Sequence, residues 1–398
     1  MKFYLILFEI FSLVWIVSCK KNETTIPDNT ICSTLLKLDT VWQVPLDTNF
    51  LLGSHDPVIL NGQLMYNLSV GFEDWVEIRN SKTGEFINRI LIDDFPIYYD
   101  SLNIYENKFI FTNSYGSRII ITDPISRKSE FYYIQDGVSN LRLRGKILFG
   151  STFNLKDTTT SLFTFNIYTK KTRVFNTIKL KNTLYRDYLK NYYSNIKPFV
   201  TSYNDTLIAY TKHIEDNNGG SHATYGIYNL NTNLINFDKT LLSSNLWPPI
   251  LVSNDKIFLR TGSYGFKSDI NCVQPDTGKI VWTLNKTDIG LFRSFGNFIF
   301  TEDGAGGITA IDAISGKQSW TNPEFQVTGE GDKIEVLDNL LFISGYSTIT
   351  IADINSGCIF RKIKTVSLKS NHTDFCLDKP NRLLYVFGSD YKLTCIKF

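Results

Sequence analysis

Charge of one sign is the first thing missing. Lys and Arg number 41 against 39 Asp and Glu. The chain therefore lacks the basic excess of a nucleic-acid surface, and no nucleic-acid partner is expected. Histidine is scarce: His55, His213, His222 and His372 stand far apart, with neither H-x-H nor H-E-x-x-H, so no histidine metal motif is present. None of the six cysteines forms C-x-x-C, which removes the commonest zinc and redox spacings. There is no G-x-S-x-G nucleophile turn. After the first 19 residues no stretch approaches 18 consecutive apolar residues, so no later helix spans a membrane. Two glycine-rich stretches read as turns. EDGAGG (302–307) runs into the strand-like ITAID and offers no helix N-terminus to a phosphate. EDNNGG (215–220) lacks the closing Glu of an EF-hand and ends in the turn signal Asn-Gly-Gly.

What is present starts at the N-terminus. Lys2 precedes an apolar run, Phe3 to Val17, broken by Glu9. It has the length of a signal-peptide core and is short for a membrane span. It ends at Ile16-Val17-Ser18-Cys19, which resembles a bacterial lipobox and makes Cys19 the expected lipidation site. Residues 1–19 are thus read as a lipoprotein signal peptide and 20–34, which begins with the polar KKNETTIPDNT, as a flexible tether. Residues 35–398 form the folded domain. The expected location is the bacterial cell envelope, lipid-anchored, most readily at the outer membrane. Cys32, Cys272, Cys358, Cys376 and Cys395 remain, an odd number that permits one disulfide in an oxidising compartment and leaves its connectivity open.

Aromatic residues make up 14% of the chain and, with many Ile, Thr and Tyr, favour strands. An eleven-residue unit recurs seven times: IRNSKTGEFIN (78–88), ITDPISRKSEF (121–131), TFNIYTKKTRV (164–174), IYNLNTNLINF (227–237), CVQPDTGKIVW (272–282), AIDAISGKQSW (310–320) and IADINSGCIFR (351–361). Position three is always Asn, Asp or Gln, as in Asn80, Asp123, Asp312 and Asp353. Position six is always Thr or Ser. Position seven is glycine in four units, at Gly84, Gly278, Gly316 and Gly357. Position eleven is aromatic in four, including Trp282 and Trp320. Physically the unit is a hairpin. Positions one to three end a strand and the Thr or Ser hydrogen-bonds within the turn. Glycine supplies φ > 0, and position eleven returns on the next strand as a wedge between neighbouring sheets. A second short hairpin precedes each unit, so every repeat holds about four strands. The repeats are spaced by roughly 40 to 45 residues, as in propellers, with one longer gap.

The ends complement one another. LKLDTVWQVPL (36–46) matches the outgoing strand, with Trp42 at position eleven, and RLLYVFGSDYKLTCIKF (382–398) stops where the turn should come. The expected fold is all-β: an eight-bladed propeller of four-stranded blades, closed by the N-terminal strand joining the C-terminal blade. In the long gap, Leu184, Tyr188, Leu189, Tyr192, Tyr193 and Ile196 recur at helical spacing, predicting one short helix near 182–196.

The pattern A-x-D-x-x-T/S-G-x-x-x-W, best kept at Ala310, Asp312, Ser315, Gly316 and Trp320, resembles the tryptophan-docking repeat of PQQ-like propellers, the quinoprotein alcohol dehydrogenase type. The resemblance covers Leu36 to Phe398. Its dehydrogenases hold their quinone against two adjacent cysteines over a calcium site. No adjacent cysteines occur here, so no cofactor, metal or catalytic residue is expected. With the lipobox, the chain resembles single-domain PQQ-like lipoproteins of the barrel-assembly kind. That implies a non-catalytic scaffold for envelope proteins on a monomeric propeller. The alternative is a small-molecule or glycan-binding module using Tyr115, Tyr264, Phe266 and Tyr346; less expected is an enzyme with carboxylates paired in the channel.

Overall fold

Alternating apolar residues closed by Asn-, Asp- and Gly-rich turns make each repeat an antiparallel meander. The computed structural model describes the chain from residue 31 to 398. Excepted are residues 48–50, 53–56, 71–72, 94–102, 113–117, 124, 127, 135–136, 155, 180–192, 203, 216–220, 242–249, 262–266, 288–289, 328–332, 346–347, 365–374 and 389–390. Eight antiparallel sheets follow one another in sequence order. They are the blades of a propeller: blade 1 (51–93), blade 2 (103–133), blade 3 (137–179), blade 4 (193–241), blade 5 (250–287), blade 6 (292–322), blade 7 (334–364) and blade 8 (375–397). Seven have four strands. In blade 1 the innermost place is shared by Leu51–Leu52 and Val58–Leu60, which both pair with Gln63–Val70.

Blade 8 supplies only three strands from the C-terminus. Its fourth is Asp39–Pro45, paired antiparallel with Lys392–Lys397 from Asp39↔Lys397 to Pro45↔Lys392. The ring is closed as the complementary ends require, and the closing strand gives blade 8 the outer fourth strand that the other blades have.

Burial falls outward. Second and third strands are almost wholly buried, as in Ile147–Asn154 and Thr348–Asp353. Fourth strands face solvent, as in Lys128–Tyr133. First strands approach one another around the axis, between blades 2 and 3, 3 and 4, 4 and 5, 5 and 6, and 8 and 1. The core is correspondingly a set of clusters between blades. One joins Phe300, Ala310 and Trp320 of blade 6 to Leu341, Ala352 and Ile359 of blade 7.

Two features were not predicted from sequence. Ile31 bridges Ile359 in parallel, the Cys32 amide donates to the Ile359 carbonyl at 2.9 Å, and Cys32 is disulfide-bonded to Cys358. The segment preceding the first strand is thus fastened to the rim of blade 7. The structure also corrects the helix near 182–196. Tyr193 and Ile196 lie in the first strand of blade 4, Tyr193–Val200, where both are buried. Tyrosines and β-branched residues serve a strand as well as a helical stripe, and sheet pairing decided between them. Leu184, Tyr188, Leu189 and Tyr192 lie outside the described residues. No described helix is long and apolar enough to cross a membrane.

Candidate functional site

The repeated polar residues form one type of hairpin on one rim. The position-three side chain accepts from backbone amides of its own turn. Asn80 Oδ1 takes Lys82 and Thr83, Asp123 takes Ile125 and Ser126, and Asp353 takes Asn355 and Ser356. Asp312 accepts both the amide and the hydroxyl of Ser315 at 2.7 Å. These bonds, the hydroxyl's first, hold its carboxyl below the usual carboxylate range. The carboxylates are consumed by turn formation.

Glycine and tryptophan act together between blades. Gly84, Gly278, Gly316 and Gly357 have φ from +64° to +75°, the left-handed region that favours glycine. Space matters as much. A Cβ at Gly84 would lie 2.6 Å from Trp42, at Gly278 2.7 Å from Phe237, at Gly316 2.6 Å from Trp282 and at Gly357 2.3 Å from Trp320. In every case the ring comes from the fourth strand of the preceding blade. The indole N–H then donates across the junction: Trp42 to the Ser81 carbonyl (3.1 Å), Trp282 to that of Ile314 (3.1 Å) and Trp320 to that of Ile354 (2.9 Å). One extra residue in each of those fourth strands aims the ring. Trp42 follows a register shift, and Trp282 opposes Cys272 with a shift directly after. A bulge of this kind turns a side chain toward the neighbouring sheet.

Blades 2 and 3 depart from this. Their fourth strands pair without a bulge near the turn, so Glu130 opposes Ile121 and Arg173 opposes Thr164. Position eleven, Phe131 or Val174, then points outward and is 47% or 48% exposed. The side chain over the next turn is polar instead. Glu130 pairs with Lys170 at 2.9 Å, and Arg173 donates to Asn233 Oδ1 at 2.6 Å. Lys170 and Asn233 occupy position seven of the next blade, with φ of +58° and +65°. The interblade aromatic sits one residue further along: Tyr132 against Phe165 and Phe175 stacked on Tyr228, centroids 4.6 Å apart. At the blade 3–4 junction this leaves a groove of about 500 Å³ bordered by Arg173, Val174, Phe175, Tyr228, Asn233 and Leu234.

Titratable groups with partners of their own kind occur in two other places. In blade 1, buried Glu77 accepts from Arg79 Nε (2.7 Å), Arg89 Nη2 (2.5 Å) and the Tyr66 hydroxyl. Burial and then the Glu77 charge push the Tyr66 phenol far up. This is a closed ion network between strands. Near the axis, half-buried Lys197 on the first strand of blade 4 is pushed down to about 8, by burial first and then by the charges of Arg142 and Arg293. Composition carried no trace of these residues, because they are 151 positions apart at the extremes and stand on the first strands of three different blades.

Other sequence candidates fall as follows. EDGAGG is a hairpin turn, in which Asp303 Oδ1 accepts from Ala305 and Gly307 and the chain enters Ile308–Asp312. Cys19, Tyr115, Tyr264, Phe266, Tyr346 and residues 216–220 lie outside the described residues. Among the described residues no three His, Cys, Asp or Glu side chains group to hold a metal.

No protein-family model and no curated protein matches this sequence. Solved structures do match its shape. The computationally designed Ika8 protein superposes with a TM-score of 0.61 at 10% identity, over 90% of this chain and 99% of that one. BamB from Moraxella catarrhalis superposes with 0.56 at 12% identity, over 91% and 100%. The Dos1 propeller superposes with 0.57 at 10% identity, over 90% and 95%. At such identities the likeness is one of fold, and it agrees with the strand order: the chain is an eight-bladed β-propeller.

Proposed function

We propose that this chain is a lipid-anchored, non-catalytic scaffold of the bacterial cell envelope, a PQQ-like propeller that presents rim loops to protein partners. The observation that carries the reading is the fate of the repeat: its Asp, Asn, Gly and Trp residues are spent on turns and blade contacts. A propeller whose repeated residues are structural offers its rims for contact, and BamB among its structural neighbours is compatible with that role. The Cys32–Cys358 disulfide agrees with an oxidising compartment. It also joins the segment after the lipobox to the ring, so that acylation at Cys19 would hold the rim of blade 7 near the membrane. Participation in outer-membrane barrel assembly is the most specific form of the proposal.

The test is affinity purification of the tagged chain from mild-detergent membrane extracts, with mass spectrometry of what accompanies it. Recovery of the central barrel of the barrel-assembly machine supports the specific form. Recovery of other envelope proteins supports a scaffold with a different client, and recovery of none overturns the scaffold. Palmitate labelling of the wild-type chain and of Cys19→Ala tests the anchor: label that persists in the variant would remove it.

A further inference from the structure

Three exposed apolar side chains border the groove between blades 3 and 4. Val174, on the fourth strand of blade 3, is 48% exposed, and Leu234 and Ile235, on that of blade 4, are 65% and 40% exposed. Leu234 departs from the repeat. Position eight of the unit is charged in five blades, at Glu85, Lys128, Lys171, Lys279 and Lys317, and is the disulfide-bonded Cys358 in a sixth. Blade 4 alone among the seven units places a branched apolar residue there, and it does so beside a cleft of about 500 Å³. A single exposed leucine is ordinary, whereas apolar side chains grouped about a cleft mark a contact surface.

The inside of the cleft is rigid and its edge is charged. Phe175 and Tyr228, both buried, stack on one another, and the Tyr228 hydroxyl donates to Asn233 Oδ1. No indole covers the Asn233 turn. Arg173 does so instead, donating to the same oxygen, with its guanidinium 5.9 Å from the centre of the Phe175 ring. Neither of these contacts carries a negative charge. The surroundings are basic. Residues 170–179 hold Lys170, Lys171, Arg173 and Lys179 and no carboxylate, and among the described residues only Lys170 of the four has an acidic partner, Glu130. Across the cleft, the one carboxylate of strand Leu234–Leu241, Asp238, is taken by Lys212.

We propose that this cleft docks an acidic, aromatic-bearing segment of a partner protein: a bulky apolar side chain enters between Val174 and Leu234 onto the Phe175–Tyr228 pair, and a neighbouring carboxylate pairs with Arg173. The apolar border and the charge together choose this occupant. Val174, Leu234 and Ile235 gain by leaving water. A guanidinium held by one neutral oxygen keeps donors for a carboxylate fork. The unpaired lysines repel a cationic segment and draw an acidic one. The volume suits one or two side chains, the size of anchor that carries most of the energy of an interface. The site deepens the scaffold reading and rests on it for its physiological partner.

Fluorescence anisotropy of the full chain in neutral detergent at low ionic strength tests it. The probe is a labelled hexapeptide of alternating Glu and Trp, compared with hexapeptides of alternating Lys and Trp and of alternating Glu and Ser. Saturable binding of the first alone is expected. Leu234→Ser and Arg173→Gln should each weaken it about fivefold or more, and added salt should weaken it less in Arg173→Gln than in wild type. Ile314→Ser, which removes an exposed apolar side chain from the turn of blade 6, should leave it unchanged. The three altered side chains are exposed, so circular dichroism melting should match wild type. Equal binding of the three peptides, absence of saturable binding, or equal binding by the variants overturns the proposal. So does a wild-type dimer in sedimentation that Leu234→Ser dissolves, which assigns the cleft to a second copy. Purification from membrane extracts separates the site from the scaffold. If wild type and an Arg173→Gln, Leu234→Ser double variant bring down the same envelope proteins, the site falls and the scaffold stands. If wild type brings down none, the scaffold falls, and the peptide titration still decides the site.

Discussion

Two sectors of the ring solve the same packing problem differently. At the junctions of blades 8–1, 4–5, 5–6 and 6–7, an aromatic ring lies on a turn glycine. At 2–3 and 3–4, a polar pair spans the gap, Glu130 with Lys170 and Arg173 with Asn233. The two choices are linked pairwise across blades. Glycine at position seven occurs where the preceding fourth strand is bulged and presents Trp or Phe, because a Cβ there would enter the ring. Where the strand runs unbulged, position ten faces the turn, glycine is not required, and Lys or Asn takes the left-handed conformation. What looks like random degeneration of a repeat is therefore coordinated between adjacent units.

The largest effect should come from removing a ring at its tightest junction. Trp320 is 4% exposed, stacks on Phe325 and donates to Ile354. Trp320→Ala should cost about 3–5 kcal/mol, read from the urea midpoint. A loss below about 1 kcal/mol would show that the junction is not held by docking.

Next comes the glycine. Gly316→Ala puts a Cβ into Trp282 and strains φ of +71°, with an expected cost of about 1–3 kcal/mol. In the Trp282→Ala background the steric part should vanish, giving a coupling of about 1 kcal/mol in a double-mutant cycle. Strict additivity would break the pairing argument.

Half-buried Lys197 on the first strand of blade 4 gives a pH signature. The Lys197 ammonium, ordinarily near 10.5, is pushed down to about 8. Unfolded chain then binds the proton more tightly than folded chain, so stability rises with pH between about 8 and 10.5 and the penalty is full below 8. The shift corresponds to at most ~3 kcal/mol. The slope of the urea midpoint over this window should fall in Lys197→Met relative to wild type, and an unchanged slope would assign it to other groups.

The smallest effects belong to the polar junctions. Glu130→Ala should cost less than about 1 kcal/mol, because its pair with Lys170 is solvated. Val174→Trp combined with Asn233→Gly should fail to stabilise, since the unbulged strand points position eleven outward. A gain in melting temperature from that pair would show that sequence alone, without the bulge, suffices for docking.

Much of the fold was legible because it rests on local chemistry repeated many times. Asp or Asn at position three, Thr or Ser at six and Gly at seven each satisfy a turn within a few residues, so spacing revealed seven hairpins and the complementary ends revealed closure. Trp42, alone before the first repeat, identified the strand that completes blade 8. The helix near 182–196 was misread at Tyr193 and Ile196 because an aromatic stripe has no direction until a partner strand is chosen.

The sequence by itself determined the repeat, the blade number and the closing strand, since these depend on turns and periodicity within some forty residues. Only the tertiary structure decided the pairing of Cys32 with Cys358, the bulges that separate docked from undocked junctions, and the groove that brings Arg173 and Val174 beside Leu234. Those depend on which strands become neighbours once the ring shuts, and neighbourhood around an axis is invisible along a chain.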